Sequence, residues 1–161
     1  MKKFTVLFVS FSLLLLCAAP LCARNMFVVE VKDGNTITVS TWPNSGRVDA
    51  TVRLFGISAP SLNKPFGMEA KKFLQEQMPV GKRVEIDTVS KDGGDAESAL
   101  VQLSGHSVNY LLITKGLAWV DRQKCKAAYC RRWYIEEHRA VQAKLGVWSI
   151  DTGTQPWQWG N

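Results

Sequence analysis

The chain has 161 residues, 46% of them hydrophobic, and carries 20 lysines and arginines against 14 aspartates and glutamates, a formal charge of +6. This length corresponds to about one domain, which can bury roughly two-thirds of its unfolded surface, so the fold needs no metal or disulfide for its stability. The moderately basic charge is compatible with a polyanionic partner and equally with ordinary solubility.

Residues 1–23 have the pattern of a signal peptide. Two lysines precede a nearly continuous apolar run over residues 4–16, and small residues follow up to Ala23. We expect cleavage after Ala23, which removes both lysines and lowers the formal charge from +6 to +4. The apolar run is shorter than the about 20 residues that cross a bilayer, so we expect no membrane span after cleavage and an exported protein, either periplasmic or secreted. An uncleaved anchor and a lipoprotein anchor on Cys17 or Cys22 are the alternatives.

Five β-strands are predicted after this segment. The first two are joined by Asp33-Gly34-Asn35, a strong hairpin signal. The third alternates apolar and polar residues, as a half-buried strand does. The predicted strands cover residues 27–31, 36–39, 48–55, 83–89 and 99–103.

Three helices are predicted from apolar residues at helical spacing, over residues 68–78, 108–114 and 134–145. The first interrupts the strands and the others follow them. This order is typical of a five-stranded barrel of the oligonucleotide/oligosaccharide-binding (OB) kind, so the predicted fold is α+β and mainly β. Residues 151–161 are predicted to be an extended tail.

Residues 32–61 carry the most informative motifs. They read K-D-G-N-T-I-T-V and, after a turn, T-V-R-L-F-G-I-S-A-P-S. This resembles the opening of staphylococcal-nuclease-like (thermonuclease) domains, where the same stretch reads D-G-D-T-I/V and V-R-L-x-G-I-D-A/T-P-E. The resemblance places an SNase-like OB-fold domain of the exported bacterial type at residues 24–150. Further family motifs follow in order: P-F-G-M-E-A at 65–70, G-L-A-W-V at 116–120, G-V-W at 146–148 and P-W-Q-W at 156–159.

The resemblance also implies where the family's chemistry would be. Active members cut phosphodiester bonds with a calcium ion held by two aspartates and a backbone carbonyl, which fall here on Asn35, Ser58 and the carbonyl of Ala59. The glutamate that positions or deprotonates the attacking water falls on Ser61. Calcium prefers several oxygen ligands, most of them carboxylates, and a serine hydroxyl is not a base near neutral pH. We therefore expect a degenerate site without a cofactor, and calcium only if activity persists.

The family clamps the phosphate with two arginines. The first is retained as Arg53, whereas the second, from a D-R-Y-G-R-x-x-A stretch, falls on Ala96. Loss of one such arginine costs about 10³-fold or more in rate, although losses at one site do not add. Arg53 itself has two roles open to it. It either contacts an anion or acts as a structural cation that forks to a carboxylate or to backbone carbonyls.

Cys125 and Cys130 are the two cysteines that remain after signal cleavage. An even number in an exported chain indicates a disulfide. On one continuous helix their Cα atoms would be about 8–9 Å apart, too far for the bond, so a bonded pair has to flank a turn or a helix start. A metal pair with His138 is the alternative, and it lacks a further ligand.

Several surface features have both a functional and a structural interpretation. Basic clusters with aromatic neighbours, Trp133 and Tyr134, could follow a phosphate backbone and stack on bases, or could be solvated charge. The basic clusters are Lys71-Lys72, Lys82-Arg83, Arg122 with Lys124 and Lys126, and Arg131-Arg132. Glu69, Glu136 and Glu137 are expected on a charged exterior. Trp148, Trp157 and Trp159 are expected to pack the C-terminal segment.

The leading hypothesis is an exported monomer with a thermonuclease-like barrel. It has lost calcium-dependent nuclease activity and binds single-stranded nucleic acid, another anion or a protein. One alternative is a divergent calcium-dependent phosphodiesterase that hydrolyses DNA or RNA with Arg53 and an acid such as Asp33, Asp92 or Asp95. Another is an envelope-interaction protein in which the basic clusters matter little.

Overall fold

The computed structural model of the chain describes residues 23–150, 153 and 155–158, so the predicted signal peptide, apart from Ala23, and Trp159 lie outside the described part. Within it, five strands pair around a closed ring, and three short strands form at its edges. The strands are β1 (Arg24–Val31), β2 (Thr36–Ser40), β3 (Ala50–Leu54), β4 (Ile57–Ser58), β5 (Arg83–Gly93), β6 (Ala96–Leu103), β7 (His106–Ser107) and β8 (Trp119–Val120).

The ring is closed by one parallel contact. Strands β1, β2 and β3 form an antiparallel meander, and β5 and β6 form a hairpin that joins it through β1. β3 then pairs with β6 in parallel, from Thr51 with Ala96 to Leu54 with Ala99. The predicted mainly-β, five-stranded OB barrel is therefore confirmed, and closure leaves no free edge among these five strands.

Period-two alternation decides which side chains enter the barrel. In β3, Ala50, Val52 and Leu54 are buried while Arg53 points outward and is exposed. The apolar residues of the other barrel strands join them in one core. Burial of these side chains at about 25 cal/mol per Å² is the main favourable term in folding.

Three helices surround the barrel: α1 (Gly67–Gln77), α2 (Val108–Thr114) and α3 (Cys130–Gln142). α1 buries Ala70 and Leu74, and α2 packs on α3 and β6. Among the described residues no helix is both long and apolar enough to cross a bilayer. Two 3-10 turns follow, Gly146–Ser149 and Pro156–Gln158, so part of the predicted extended tail is helical instead.

The expected disulfide is present. Cys125 and Cys130 are bonded, and their Cα atoms are 5.7 Å apart. Cys130 is the first residue of α3, so the pair flanks a helix start, as the distance argument required. Both cysteines are buried, and the Cys125 sulfur lies where a side chain on Gly56 would have to go, 3.1 Å from such a Cβ.

The predicted extents of several elements were wrong. β5 runs to Gly93 rather than to residue 89, and β6 begins at Ala96 rather than at residue 99. β3 begins at Ala50 rather than at residue 48, because residues 41–49 form a loop whose ends are joined by hydrogen bonds to the carboxylate of Asp49. The carboxylate of Asp49 accepts hydrogen bonds from the backbone N–H and the hydroxyl of Thr41, both at 2.7 Å, and the backbone bond is the main reason that its pKa is lowered to about 2. α3 begins four residues before position 134, where the disulfide anchors it.

Two residues assigned to the surface are buried. Glu137 is only 4% exposed, because its carboxylate accepts hydrogen bonds from the backbone N–H of Val120 at 2.8 Å and from Arg122 at 2.7 Å. Trp133 is 5% exposed and packs in the core, so it is not an accessible platform for a base. Glu137 was placed on the outer face of the helix, and Trp133 lay before the predicted helix start, whereas α3 contains both and buries them.

Candidate functional site

The fold brings most of the family's active-site positions into one open pocket of about 560 Å³. We call it the Arg53 pocket. Ala96 is not among the residues that line it. Of the positions picked out by the resemblance, its lining includes Asn35, Arg53, Ser58, Ala59 and Ser61.

The turn between β1 and β2 carries the first side of the pocket. One carboxylate oxygen of Asp33 accepts a hydrogen bond from the backbone N–H of Asn35 at 2.7 Å, which fixes the turn. Gly34 between them is required by packing, since a Cβ there would lie 2.6 Å from the Cβ of Ala70 in α1. The backbone carbonyl of Asn35 accepts from Leu54 N–H at 2.9 Å and so fastens the turn to β3.

The Asn35 side chain points toward β4. Its amide nitrogen donates to the carbonyl of Ile57 over a long 3.4 Å, and its Oδ1 is buried without a hydrogen-bond partner among the described residues. Ser58, which follows Ile57 in β4, pairs with Trp119 of β8. This side of the pocket therefore presents neutral oxygens.

The guanidinium of Arg53 is exposed, and no hydrogen bond or ion pair engages it within the described part of the chain. Neither a carboxylate nor a backbone carbonyl of the described residues therefore supplies the fork that a structural role would need. Its positive charge is available to a ligand in the pocket.

Asp92 is the acid whose charge Arg53 influences. The hydroxyl of Ser98, the residue opposite Arg53 in β6, donates to Asp92 at 2.7 Å. This hydrogen bond is the main reason that the pKa of Asp92 is lowered, and the charges of Lys124 and Arg53 lower it further. Asp92 is thus an anion beside the pocket, but it is not part of the pocket lining.

Ala96 begins β6 and pairs with Thr51, two residues before Arg53. Because side chains two residues apart share a face of a strand, Ala96 lies on the same face as Ser98, beside Arg53. Asp95 accepts Thr51 N–H with its backbone carbonyl at 2.9 Å, and it also lies outside the pocket lining.

The described lining of the pocket carries few charges, and Arg53 is the cation for which no ion pair is found among the described residues. Asp33 is its one lining carboxylate within the described residues, against the two cations Arg53 and Lys64. Elsewhere in residues 23–150, 153 and 155–158, no three or more histidines, cysteines, aspartates or glutamates cluster so that they could hold a metal ion. The arrangement suits an anion better than a cation.

Two tryptophans complete the pocket and were not assigned to it from the sequence. Trp119 lies in β8, and Trp157 lies in the C-terminal 3-10 turn and is 46% exposed. They are 38 positions apart and come from elements whose contact depends on the tertiary fold. The motifs G-L-A-W-V and P-W-Q-W marked both residues, but nothing in their spacing pointed to a shared pocket.

Comparisons with known proteins identify the family. The family model described as "Staphylococcal nuclease homologue" matches residues 51–150. The chain is 28% identical to a protein of Shigella flexneri named micrococcal nuclease. The match covers 82% of the chain and 78% of that protein. Over 82% of the chain it is 30% identical to an uncharacterized endonuclease of Escherichia coli O157:H7, again covering 82% of that protein.

A plant protein, staphylococcal-like nuclease CAN1 of Arabidopsis thaliana, is 30% identical over 67% of the chain. The chain spans only about a third of the length of that relative, 32%. The similarity therefore covers the nuclease-like domain, and the rest of the plant protein has no counterpart in the match.

Proposed function

Because the chain belongs to the staphylococcal nuclease family, we propose that it uses the family's barrel to bind single-stranded nucleic acid through the Arg53 pocket, without calcium-dependent cleavage. The observation that carries this proposal is the charge of the pocket. A guanidinium without a protein partner among the described residues faces a lining in which Asp33 is the one carboxylate. A phosphate diester supplies the anion that such a guanidinium binds well.

The donor set does not fit a tight calcium site. The positions that supply aspartates in active members offer the neutral Asn35 oxygen and the Ser58 hydroxyl, beside the carbonyl of Ala59 and the single carboxylate of Asp33. One carboxylate oxygen of Asp33 already accepts a hydrogen bond from the backbone N–H of Asn35. Calcium takes six to eight oxygens at about 2.3–2.6 Å, and its affinity rises with the number of charged ligands.

The described pocket lining also lacks the glutamate with which the family activates water, and Asp33 is its one carboxylate. Ser61 is exposed at the position of the family's glutamate, and no histidine lies in the described pocket lining. General-base assistance is worth about 10²–10⁴-fold in rate. In this proposal the residues that line the Arg53 pocket bind and orient a phosphate.

The divergent phosphodiesterase is the second candidate, and the position of Asp33 in the pocket favours it. The similar proteins of Shigella flexneri and Arabidopsis thaliana carry nuclease names. Under this reading the purified protein digests single-stranded DNA with calcium, and Asp33→Ala abolishes that activity. Under the binding proposal there is no such activity to abolish.

The binding proposal is tested by replacing Arg53. With oligothymidylate at low salt and a chelator present, we expect Arg53→Ala to weaken binding about tenfold, as loss of a charged hydrogen bond does. The slope of log K against log salt should fall by about 0.7, the value for one single-strand phosphate contact. Fluorescence anisotropy over a salt series measures both.

Arg139→Ala is the control, because Arg139 is also exposed but pairs with Glu136 on α3, does not line the pocket and belongs to none of the basic clusters. It should leave the slope nearly unchanged. Calcium-dependent digestion by the wild type would contradict the proposal. Absence of oligonucleotide binding at any salt would support the envelope-interaction alternative instead.

We also propose that the chain is exported and that cleavage after Ala23 begins the mature protein at Arg24. Two features support this. A buried disulfide suits an oxidising compartment, and β1 begins at Arg24, whose guanidinium contacts Glu97 and Thr88. N-terminal sequencing of protein from the extracytoplasmic fraction should read R-N-M-F. A sequence that starts at Met1, or protein confined to the cytoplasm, would contradict it.

A further inference from the structure

Trp157 lies at the boundary between the Arg53 pocket and a second pocket of about 340 Å³. Both pockets are also lined by Ser58 and Trp119, so they are continuous along the strand pair β4–β8. The second pocket extends past Arg122. A ligand that enters the Arg53 pocket therefore meets the Trp157 ring as a wall.

The ring is held in place by its neighbours. The Cζ atom of Arg122 lies 4.8 Å from its centroid, and the rings of Trp148 and Trp157 form a T-shaped pair with centroids 6.2 Å apart. Arg122 is itself fixed by the buried carboxylate of Glu137 at 2.7 Å. A platform fixed in this way loses little conformational entropy when a ligand stacks on it.

Part of the Trp157 side chain is accessible from the Arg53 pocket. Trp157 is 46% exposed and lines both pockets, whereas Arg122 lines the second pocket and not the Arg53 pocket. A ligand in the Arg53 pocket can therefore contact Trp157 without first displacing Arg122.

We propose that Trp157 stacks on a nucleobase whose phosphate is bound by Arg53, so that the pocket takes one nucleotide unit of a single strand rather than a phosphate alone. This rests on the proposed binding function and specifies its ligand. A volume of about 560 Å³ is within the range of about 300–1,000 Å³ for small-molecule sites. Stacking on an aromatic ring tolerates any base, because every base has a π face.

The experiment compares two probes, oligothymidylate and an abasic oligonucleotide of equal length, by fluorescence anisotropy. We expect Trp157→Leu to weaken oligothymidylate binding about tenfold or more, the usual effect of losing one base stack, and to leave abasic binding unchanged. Leucine keeps an apolar group against Arg122 without the π face. Trp157→Phe, which keeps an aromatic ring, should restore most of the affinity.

Trp42→Leu is the matched control, since Trp42 is 68% exposed in the loop between β2 and β3 and lines neither pocket. It should bind both probes like the wild type. Oligothymidylate binding by Trp157→Leu that equals the wild type would overturn the stacking inference and leave the binding function standing. An equal loss on both probes would assign Trp157 a structural role. Wild-type protein that binds neither probe would overturn both proposals.

Discussion

A variant that restores four family residues, Asn35→Asp, Ser58→Asp, Ser61→Glu and Ala96→Arg, is expected to cleave single-stranded DNA with calcium. The first three positions already line the Arg53 pocket, and position 96 lies on the strand face beside Arg53. The restored base accounts for about 10²–10⁴-fold and the arginine for about 10³-fold, without strict additivity. The acids also add three negative charges for calcium.

Intermediate variants separate metal binding from catalysis. The three acid substitutions without Ala96→Arg should bind calcium in a titration by calorimetry but cleave far more slowly than the full variant. Ala96→Arg alone should give no calcium-dependent cleavage. If the wild type already releases calcium-binding heat and digests DNA, or if the full variant binds calcium no better than the wild type, the degenerate-site interpretation is wrong.

Glu137→Ala is expected to lower the free energy of unfolding by about 2 kcal/mol, chiefly through the buried Val120 N–H, since the remaining Arg122 side chain is 52% exposed. Glu137 joins β8 to α3, since one oxygen accepts the Val120 N–H and the other accepts from Arg122. Removal leaves a buried backbone donor without an acceptor, which alone costs about 1–3 kcal/mol. Urea unfolding at constant slope measures the change.

The neighbouring glutamate provides the control. Glu136 pairs with Arg139 at 2.6 Å on the same helix, and within the described residues its carboxylate accepts no hydrogen bond from a backbone N–H. The Arg139 side chain is 68% exposed, and Glu136→Ala leaves no buried donor without an acceptor, so it should cost less than about 1 kcal/mol, as solvent-accessible pairs do. Glu137→Gln keeps an acceptor for Val120 and should fall between the two. Equal losses for Glu136→Ala and Glu137→Ala would contradict a structural role for the buried carboxylate.

Local patterns determined most of the barrel. The D-G-N turn, the alternation in β3 and the glycine and serine at the β6–β7 turn are properties of a few adjacent residues, so the five barrel strands were predicted in the right order. The β5–β6 hairpin is longer than predicted, because β5 ends four residues later and β6 begins three residues earlier. The disulfide was constrained in the same way, because five residues on a helix cannot bring two Cα atoms within bonding distance. Errors arose where a partner from elsewhere in the chain set the boundary, as Cys125 does for the start of α3.

The substituted site was predictable as a set of positions, and its geometry was not. Motif letters named Asn35, Arg53, Ser58 and Ser61, but whether other acids would enter the same pocket depended on how distant elements fold together. The structure leaves Asp92 and Asp95 outside the described pocket lining and places Asp33 in it. The resulting charge of the pocket is the basis of the binding proposal.

The sequence alone determined that the chain forms a thermonuclease-like barrel and which family residues it has exchanged, because strand periodicity, turns and motifs depend on near neighbours. Only the tertiary structure decided the burial of Glu137 and the meeting of Trp157 with Arg53 in one pocket. These contacts join residues 15 to 104 positions apart, and no local pattern encodes them. Closure of the barrel and packing of the C-terminal turn bring such residues together.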